Sequence, residues 1–134
     1  MTTLLLDTNV VSYLLKGDSR AAGYEPLLIG HRLALSFVTV GELFEWAALR
    51  GWGTARTTRL EQSLAAYLTI PVDVEVCRLW ADVRVQRRSI GRPIASQDAW
   101  IAATALRHQL PLVTHDAVDF DQIAGLDVRT VLSP

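Results

Sequence analysis

The stretch LLLDTNVVSYLL, residues 4–15, is the part of the sequence that decides the fold. It begins with a short apolar run that ends at Asp7, which is the pattern of a buried strand. Apolar residues at helical spacing follow from Val10 to Lys16, and Gly17 then ends the helix. A buried strand that leads directly into a helix is typical of α/β proteins with a parallel sheet.

The remainder of the chain continues this alternation of short apolar strands and helices. Further strands are predicted at residues 33–38, 112–114 and 128–132. Helices are predicted at residues 39–49, 54–68, 76–88 and 98–108, the last two with Asp73 and Ser96 as candidate N-caps. We therefore predict a single α/β domain over residues 1–134, with three layers, α/β/α, around a central, mostly parallel sheet.

The composition excludes several classes of protein. Of the 134 residues, 50% are hydrophobic, and the mean hydropathy is +0.22, which excludes intrinsic disorder. The formal net charge of -1 argues against binding nucleic acid through one large basic face, although nucleic acid stays open as a substrate. Cys77 is the only cysteine, so no internal disulfide can form, and no structural zinc site is suggested.

The sequence also bears on the location of the protein. The N-terminus has no basic region and is interrupted by Asp7, so we predict no signal peptide. No apolar run reaches the ~18 residues that a bilayer crossing needs. A cytoplasmic protein without a membrane partner is therefore expected.

Acidic residues stand where a ligand site of an α/β protein is expected, because ligands bind beyond the carboxyl ends of the strands. The acids that follow predicted strands or open the last helix are Asp7, Glu42, Asp98 and Asp116, with Asp119 close behind. Converging carboxylates repel one another unless a cation neutralises them, and oxygen ligands favour Mg²⁺ or Mn²⁺. Such ions activate water and stabilise charge in phosphoryl displacement.

Each acid also has a purely structural explanation. Thr39 and Glu42 match a capping box, and Asp98 complements the positive end of its helix. Asp7 is a candidate cap for the helix that follows it, and Asp116 is a candidate turn residue. A metal site is therefore one interpretation of the set, and local capping is the other.

Segments of the chain resemble one protein family at four places. They are LLLDTNVVSYLL at 4–15, SFVTVGEL at 36–43, GRPIASQDAWIAATAL at 91–106 and LVTHDAVDF at 112–120. In order and spacing they resemble the PIN domain and, within that family, the VapC toxins of bacterial toxin–antitoxin pairs. The resemblance implies a metal-dependent endoribonuclease with an acidic site. The matching acids are Asp7, Glu42, Asp98 and Asp116, and the matching supporting residues are Thr8, Asn9 and Thr114.

The resemblance also implies a cofactor and partners. The cofactor would be Mg²⁺, with Mn²⁺ as a substitute, and metal-activated water would cleave RNA phosphodiester bonds. The protein would form a homodimer and bind a VapB-type antitoxin. Many relatives carry Asn at the position of Asp116 and the last acid at the position of Asp119, so both residues are candidates for the fourth ligand. We assign this role to Asp116, with Asp119 in support.

Other functions of the same residues stay open. The main alternative is a catalytically silent PIN-like module that binds RNA or a protein partner, although a silent module has no reason to keep converging charges. A nuclease directed at DNA is also open, because the metal chemistry does not distinguish the two sugars.

A cluster of arginines precedes Asp98 at the end of one predicted helix and in the loop that follows. Its members are Arg84, Arg87, Arg88 and Arg92. These side chains are candidate RNA-binding groups that would form a phosphate-binding rim beside the metal site. A solvated polar face is the alternative interpretation.

The tryptophans fall into two pairs. Trp46 and Trp52 flank a glycine-rich bend and are candidates for a partner groove, where aromatic residues concentrate binding energy. In the family that the chain resembles, this helical region receives the antitoxin. Trp80 and Trp100 fit the apolar stripes of their helices and are predicted to lie in the core.

Overall fold

Five parallel strands form the centre of the computed structural model, which describes residues 2–131. The strands are β1 (Thr3–Leu6), β2 (Arg32–Ser36), β3 (Leu68–Ile70), β4 (Leu112–Val113) and β5 (Val128–Arg129). Their order across the sheet is β3-β2-β1-β4-β5, and every neighbouring pair is parallel. The parallel sheet that the alternation of strands and helices predicts is confirmed.

In the described residues 2–131, six α-helices connect and cover these strands. They are α1 (Thr8–Lys16), α2 (Ala21–Leu28), α3 (Phe37–Leu49), α4 (Thr54–Leu64), α5 (Val74–Ser89) and α6 (Ser96–His108). A short 3₁₀ helix, Ala117–Phe120, follows β4. Within residues 2–131, none of these helices has the length and apolar character needed to cross a membrane.

The alternating side chains of β1 build one core on each face of the sheet. Leu4 and Leu6 pack with buried side chains of α1 to α4, such as Val10 and Tyr24. Leu5 points to the opposite face and packs with buried side chains of α5 and α6. Because both faces of the sheet are covered by helices, the predicted three-layer α/β/α architecture is confirmed.

The boundary between β2 and α3 differs from the prediction. The strand ends at Ser36, and Phe37 and Val38 already belong to the helix. The Ser36 hydroxyl accepts a hydrogen bond from the Val38 amide at 3.3 Å and so begins the helix early. The expected capping box at Thr39 is therefore wrong, because Thr39 lies inside the helix and is fully buried.

Other element boundaries also differ from the prediction. The helix predicted over residues 54–68 ends at Leu64, and Leu68 begins the unpredicted edge strand β3, which pairs with β2. Helix α2 was not predicted, and it contains Pro26. Ser96 does not cap α6, because the cap position is Ala95. The strand predicted over residues 128–132 ends at Arg129, and residue 132 lies outside the described residues.

The strand order creates a crevice at one edge of the sheet. β1 lies between β2 and β4, so the chain proceeds in opposite directions across the sheet from this strand. The Asp7 amide donates to the Val113 carbonyl at 2.9 Å, so the backbone pairing of β1 with β4 continues as far as Asp7. A reversal of strand order is where α/β sheets bind ligands.

Candidate active site

Asp7 lies at the carboxyl end of β1 and is also the N-cap of α1. Its Oδ1 accepts from the Thr8 amide at 2.8 Å, and its Oδ2 accepts from the Thr114 hydroxyl at 2.7 Å. The side chain is buried, and burial raises the pKa of Asp7 to about 6 against the opposing effect of these two hydrogen bonds. The charges of Glu42 and Asp116 raise it further. Asp7 therefore caps α1 and also lies at the crevice, so the two interpretations of this residue do not exclude each other.

Glu42 comes to the same place from α3. Its Oε1 accepts from the Thr8 hydroxyl at 2.9 Å, and that hydroxyl lies 2.9 Å from the hydroxyl of Thr39. Because Thr8 has one hydroxyl proton and gives it to Glu42, Thr39 donates to Thr8. Burial raises the pKa of Glu42 despite the hydrogen bond from Thr8. Thr39 is a supporting residue that the sequence interpretation missed, although its position one turn before Glu42 is a usable signal.

Asp98 is in the first turn of α6 and is half-buried. A helix N-terminus by itself favours the charged carboxylate. The pKa of Asp98 is nevertheless raised to about 7, first by burial and then by the negative charges around it. In order of effect, these charges are Asp7, Asp119, Glu42 and Asp116. Asp98 therefore shares one electrostatic environment with all the other candidate acids.

Asp116 and Asp119 flank the turn after β4. The Asn9 side-chain amide donates to Asp116 Oδ2 at 2.8 Å, and the Asp116 amide donates to Thr114 Oγ1 at 3.1 Å. The Asp119 amide donates to the Asp116 carbonyl at 3.0 Å, so the segment is a helical turn and not an extended chain. Both carboxylates are exposed, and the buried ring of Phe120 anchors the segment in the core.

We call Asp7, Glu42, Asp98, Asp116 and Asp119 the acidic site. Among residues 2–131, the arginine ion pairs go to other carboxylates, and no member of the acidic site has one. Uncompensated carboxylates with raised pKa values are the environment that a divalent cation stabilises. An all-oxygen ligand set fits a hard ion such as Mg²⁺.

The acidic site is not preformed as a closed metal cage. In the described part of the chain, no three His, Cys, Asp or Glu side chains are arranged to hold an ion. Hydrogen bonds from Thr8, Thr114 and Asn9 hold the oxygens of three of the acids in place. The donor chemistry and the charge therefore fit a divalent ion, and the carboxylates would rotate to bind it.

Comparison with known proteins identifies the family. The family model described as the PIN domain matches residues 4–126, which is most of the chain. This chain belongs to the PIN domain family. The PIN domain is 35% identical to VapC ribonuclease Y4jK of Sinorhizobium fredii, over 98% of this chain and 99% of that protein. It is 37% identical to Toxin FitB of Neisseria gonorrhoeae, over 87% of this chain and 90% of that protein.

Solved structures agree with this assignment. The crystal structure of FitAcB from Neisseria gonorrhoeae matches the PIN domain with a TM-score of 0.82 and 34% identity, over 96% of this chain and 97% of that one. The structure of VapBC-1 from nontypeable Haemophilus influenzae matches with a TM-score of 0.81 and 28% identity, over 97% and 98%. The resemblance to the VapC group is confirmed.

The predicted arginine rim of this PIN domain is wrong at one position. Arg87 is only 4% exposed, and its guanidinium donates to backbone carbonyls, so it cannot bind RNA from the surface. The signal was present in the sequence, because position 87 continues the helical stripe of Val76 and Val83, which are both buried.

The other three arginines of the predicted rim have different surroundings. Arg92 forms an ion pair with Asp121 at 2.7 Å. Arg84 lies over the ring of Trp80, 4.9 Å from its centroid, and Arg88 is exposed. Arg84 and Arg88 therefore stay candidates for RNA contacts.

All four tryptophans of the PIN domain are partly buried. Trp46 and Trp52 are in contact, with ring centroids 4.9 Å apart, and border a cavity of about 340 Å³ that Lys16 also lines. A neighbouring cavity of about 410 Å³ shares Lys16 and Trp46 and extends to Glu42. Trp80 and Trp100, predicted for the core, stack on each other at 4.6 Å and are half-buried, and Trp80 packs against the core beneath α5 and α6.

Proposed function

We propose that this PIN domain is a Mg²⁺-dependent endoribonuclease and the toxin component of a type II toxin–antitoxin system. The observation that carries the proposal is the convergence of Asp7, Glu42, Asp98 and Asp116 at one crevice without an ion pair in the described chain. Two of its relatives are VapC ribonuclease Y4jK and Toxin FitB, which supports RNA as the substrate and toxicity as the biological role.

The acidic site would hold Mg²⁺, with Mn²⁺ as a substitute. The ligands would be Asp7, Glu42, Asp98 and Asp116, with Asp119 in support. The bound ion would supply charge neutralisation at the phosphate and activation of the attacking water. Binding requires ionised carboxylates, so Asp7 and Asp98, with pKa values of about 6 and 7, would release protons when the ion binds near neutral pH.

The surrounding side chains would orient the acids for hydrolysis by water. Thr114 fixes Asp7, Thr8 fixes Glu42, and Asn9 fixes Asp116 through the hydrogen bonds described above. Such partners outside the metal shell set the direction of the ligand oxygens. Arg84 and Arg88 would bind phosphates of the flanking nucleotides, which positions the substrate without reading its sequence.

Removal of divalent ions is expected to stop RNA cleavage. Purified protein should cleave a single-stranded RNA in Mg²⁺ or Mn²⁺, and cleavage should fall to background in excess EDTA because the carboxylates then have no cation to join them to the phosphate. Gel analysis of a labelled RNA over time measures this, and restoring Mg²⁺ should restore cleavage. Undiminished cleavage in EDTA contradicts the metal-dependent mechanism.

The same assay separates the proposal from the silent PIN-like module. A silent module binds RNA or a protein partner but does not cleave RNA in any divalent ion. An Asp7→Asn variant is the control, since cleavage that persists in this variant comes from a contaminating nuclease.

The fourth ligand is expected to be Asp116. The charge of Asp116 raises the pKa of both Asp7 and Asp98, whereas Asp119 affects Asp98 alone, on which its effect is the larger of the two. The Asn9 side-chain amide also holds Asp116 Oδ2 at 2.8 Å, and we assign the role to Asp116 on these two grounds. Asp116→Asn should therefore lose more Mn²⁺ affinity than Asp119→Asn, and the double variant should be inactive. Calorimetric titration of Mn²⁺ into both single variants measures the difference. A larger loss in Asp119→Asn would reverse the assignment.

We further propose a VapB-type antitoxin as partner and a homodimer as the assembly of the toxin. The solved structure of VapBC-5 from Mycobacterium tuberculosis, a member of the VapBC family of toxin–antitoxin systems, supports the antitoxin, since it matches with a TM-score of 0.71 and 31% identity over 97% of this chain and 99% of that one. The cavity of about 410 Å³ beside Trp46 is also lined by Glu42, so a partner bound there would lie at the entrance of the acidic site. The mass of the purified protein in sedimentation tests the homodimer.

A further inference from the structure

Arg87 is a buried cation that joins two segments of the chain. Its Nε donates to the Arg92 carbonyl at 2.8 Å. Its Nη1 donates to the carbonyls of Asp119 and Asp121 at 3.0 and 3.1 Å. The guanidinium therefore connects the loop after α5 to the turn after β4.

Both segments lead directly to the acidic site. Arg92 lies six residues before Asp98, in the loop that enters α6. Asp119 is itself a member of the site, and the 3₁₀ helix that carries it packs against α6, the helix that carries Asp98. The separation between these two acids therefore depends on how the two segments are joined.

Packing alone does not require an arginine at this position. Val76 and Val83 occupy the same buried stripe of α5 and fill it with apolar side chains. A buried charge is costly unless it is well paired, so the stripe would tolerate an apolar residue at position 87 more easily. What an arginine adds is a planar fork whose donors reach several acceptors in fixed directions.

Arg92 and Asp121 add a charge pair beside the hydrogen bonds that the Arg87 guanidinium makes to the two segments. Arg92 Nη1 donates to Asp121 Oδ2 at 2.7 Å. Asp121 Oδ1 lies 3.9 Å from Arg87 Nη1, and this buried oxygen has no hydrogen-bond partner within residues 2–131. The contacts of Arg87 that hold the backbone in place are therefore the three bonds to carbonyls.

We propose that Arg87 is a positioning residue of the acidic site, whose carbonyl-bound fork holds the segment bearing Asp119 against the segment that leads to Asp98. This spacing tunes the site toward a divalent ion. The inference rests on the metal-dependent function proposed above.

The test is Mn²⁺ affinity in an Arg87→Lys variant. Lysine keeps the charge but has one nitrogen, which cannot reach the carbonyls of both segments with the geometry of the fork. Loss of such a supporting contact lowers metal affinity by about 10- to 100-fold, so calorimetric titration should give at least a ~10-fold weaker Kd. Arg78→Lys, an exposed change on the same helix, is the matched control and should bind like the wild type.

A second variant separates the fork from the charge pair. Asp121→Asn removes the carboxylate beside Arg87 and leaves the three carbonyl bonds in place, so it should keep near-wild-type Mn²⁺ affinity. Melting curves establish that each variant is folded at the titration temperature. A folded Arg87→Lys that binds Mn²⁺ like the wild type overturns the inference and leaves the metal proposal standing. A wild type that binds no Mn²⁺ overturns both.

The wild type gives an independent readout if Arg87→Lys does not fold. Saturating Mg²⁺ should slow amide hydrogen exchange at Arg92 and Asp121 by several-fold, because the fork couples these backbone positions to the site. The comparison amide is Cys77, at the other end of α5, which should not change. Amide exchange rates at Arg92 and Asp121 that are the same with and without Mg²⁺ overturn the inference.

Discussion

Replacing Asp98 by asparagine is expected to reduce RNA cleavage by at least about 100-fold and to leave the metal-free protein as stable as the wild type or more stable. The loss of activity follows because Asp98 is a proposed ligand of the metal. The gain in stability follows from its pKa of about 7, since the folded protein at pH 8 holds this carboxylate ionised against burial and repulsion. Asparagine has the same shape and no charge.

The capping interpretation predicts the opposite result for the same variant. If Asp98 serves only the N-terminus of α6, asparagine should weaken the fold by up to ~1 kcal/mol and keep the activity. Melting in EDTA at pH 8 and cleavage in Mg²⁺, measured on one preparation, distinguish the two interpretations. Glu75→Gln is the matched control, because Glu75 is a first-turn acid of α5 outside the acidic site. The Glu75→Gln variant should therefore lose up to ~1 kcal/mol of stability and keep its activity.

The metal-free protein is expected to lose stability as the pH rises from 5 to 8. Asp7 has a pKa of about 6 in the folded protein, above the ordinary 3.8 of an aspartate, so the folded state binds the proton more tightly. The free energy of unfolding then falls by ~3 kcal/mol in total for Asp7 as the pH rises from about 4 through the folded pKa, and about half of this loss lies between pH 5 and pH 8. Asp98, with a pKa of about 7, acts in the same sense. Urea unfolding in EDTA at several pH values measures this loss.

Two variants and the addition of Mg²⁺ test whether the acidic site causes the pH dependence of stability. Asp7→Asn should flatten the profile, whereas Asp82→Asn, an exposed change on α5, should leave it unchanged. Mg²⁺ should raise the melting temperature more at pH 8 than at pH 5, because the ligands must be ionised to bind. The hydrogen bond from the Val76 amide lowers the pKa of Asp73, so protonation of Asp73 destabilises the fold only at acidic pH. The unfolding measurements therefore begin at pH 5, where this opposing effect is absent. Stability that is constant or rises from pH 5 to pH 8 contradicts the raised pKa values.

Much of the acidic site could be predicted from the sequence because its members are tied to local structure. Asp7 ends an apolar run and begins a helix, and Asp98 stands in the first turn of a helix, so local patterns alone place both at element ends. Their convergence followed from one general property of parallel sheets, in which strand ends share an edge. The contacts of Thr39 and Arg87 could not be predicted this way, because their hydrogen-bond partners lie far along the chain.

The sequence by itself determined the alternation of strands and helices, because hydrophobic period and helix-ending residues act over a few residues. It therefore placed β1 and α1 almost completely. Only the tertiary structure decided that residues 68–70 form a strand, since an edge strand of three residues is held by its pairing with β2. It also decided which groups satisfy the charge of the buried Arg87, because the accepting carbonyls come from Arg92 and from Asp119 and Asp121, which lie 32 and 34 residues further along the chain.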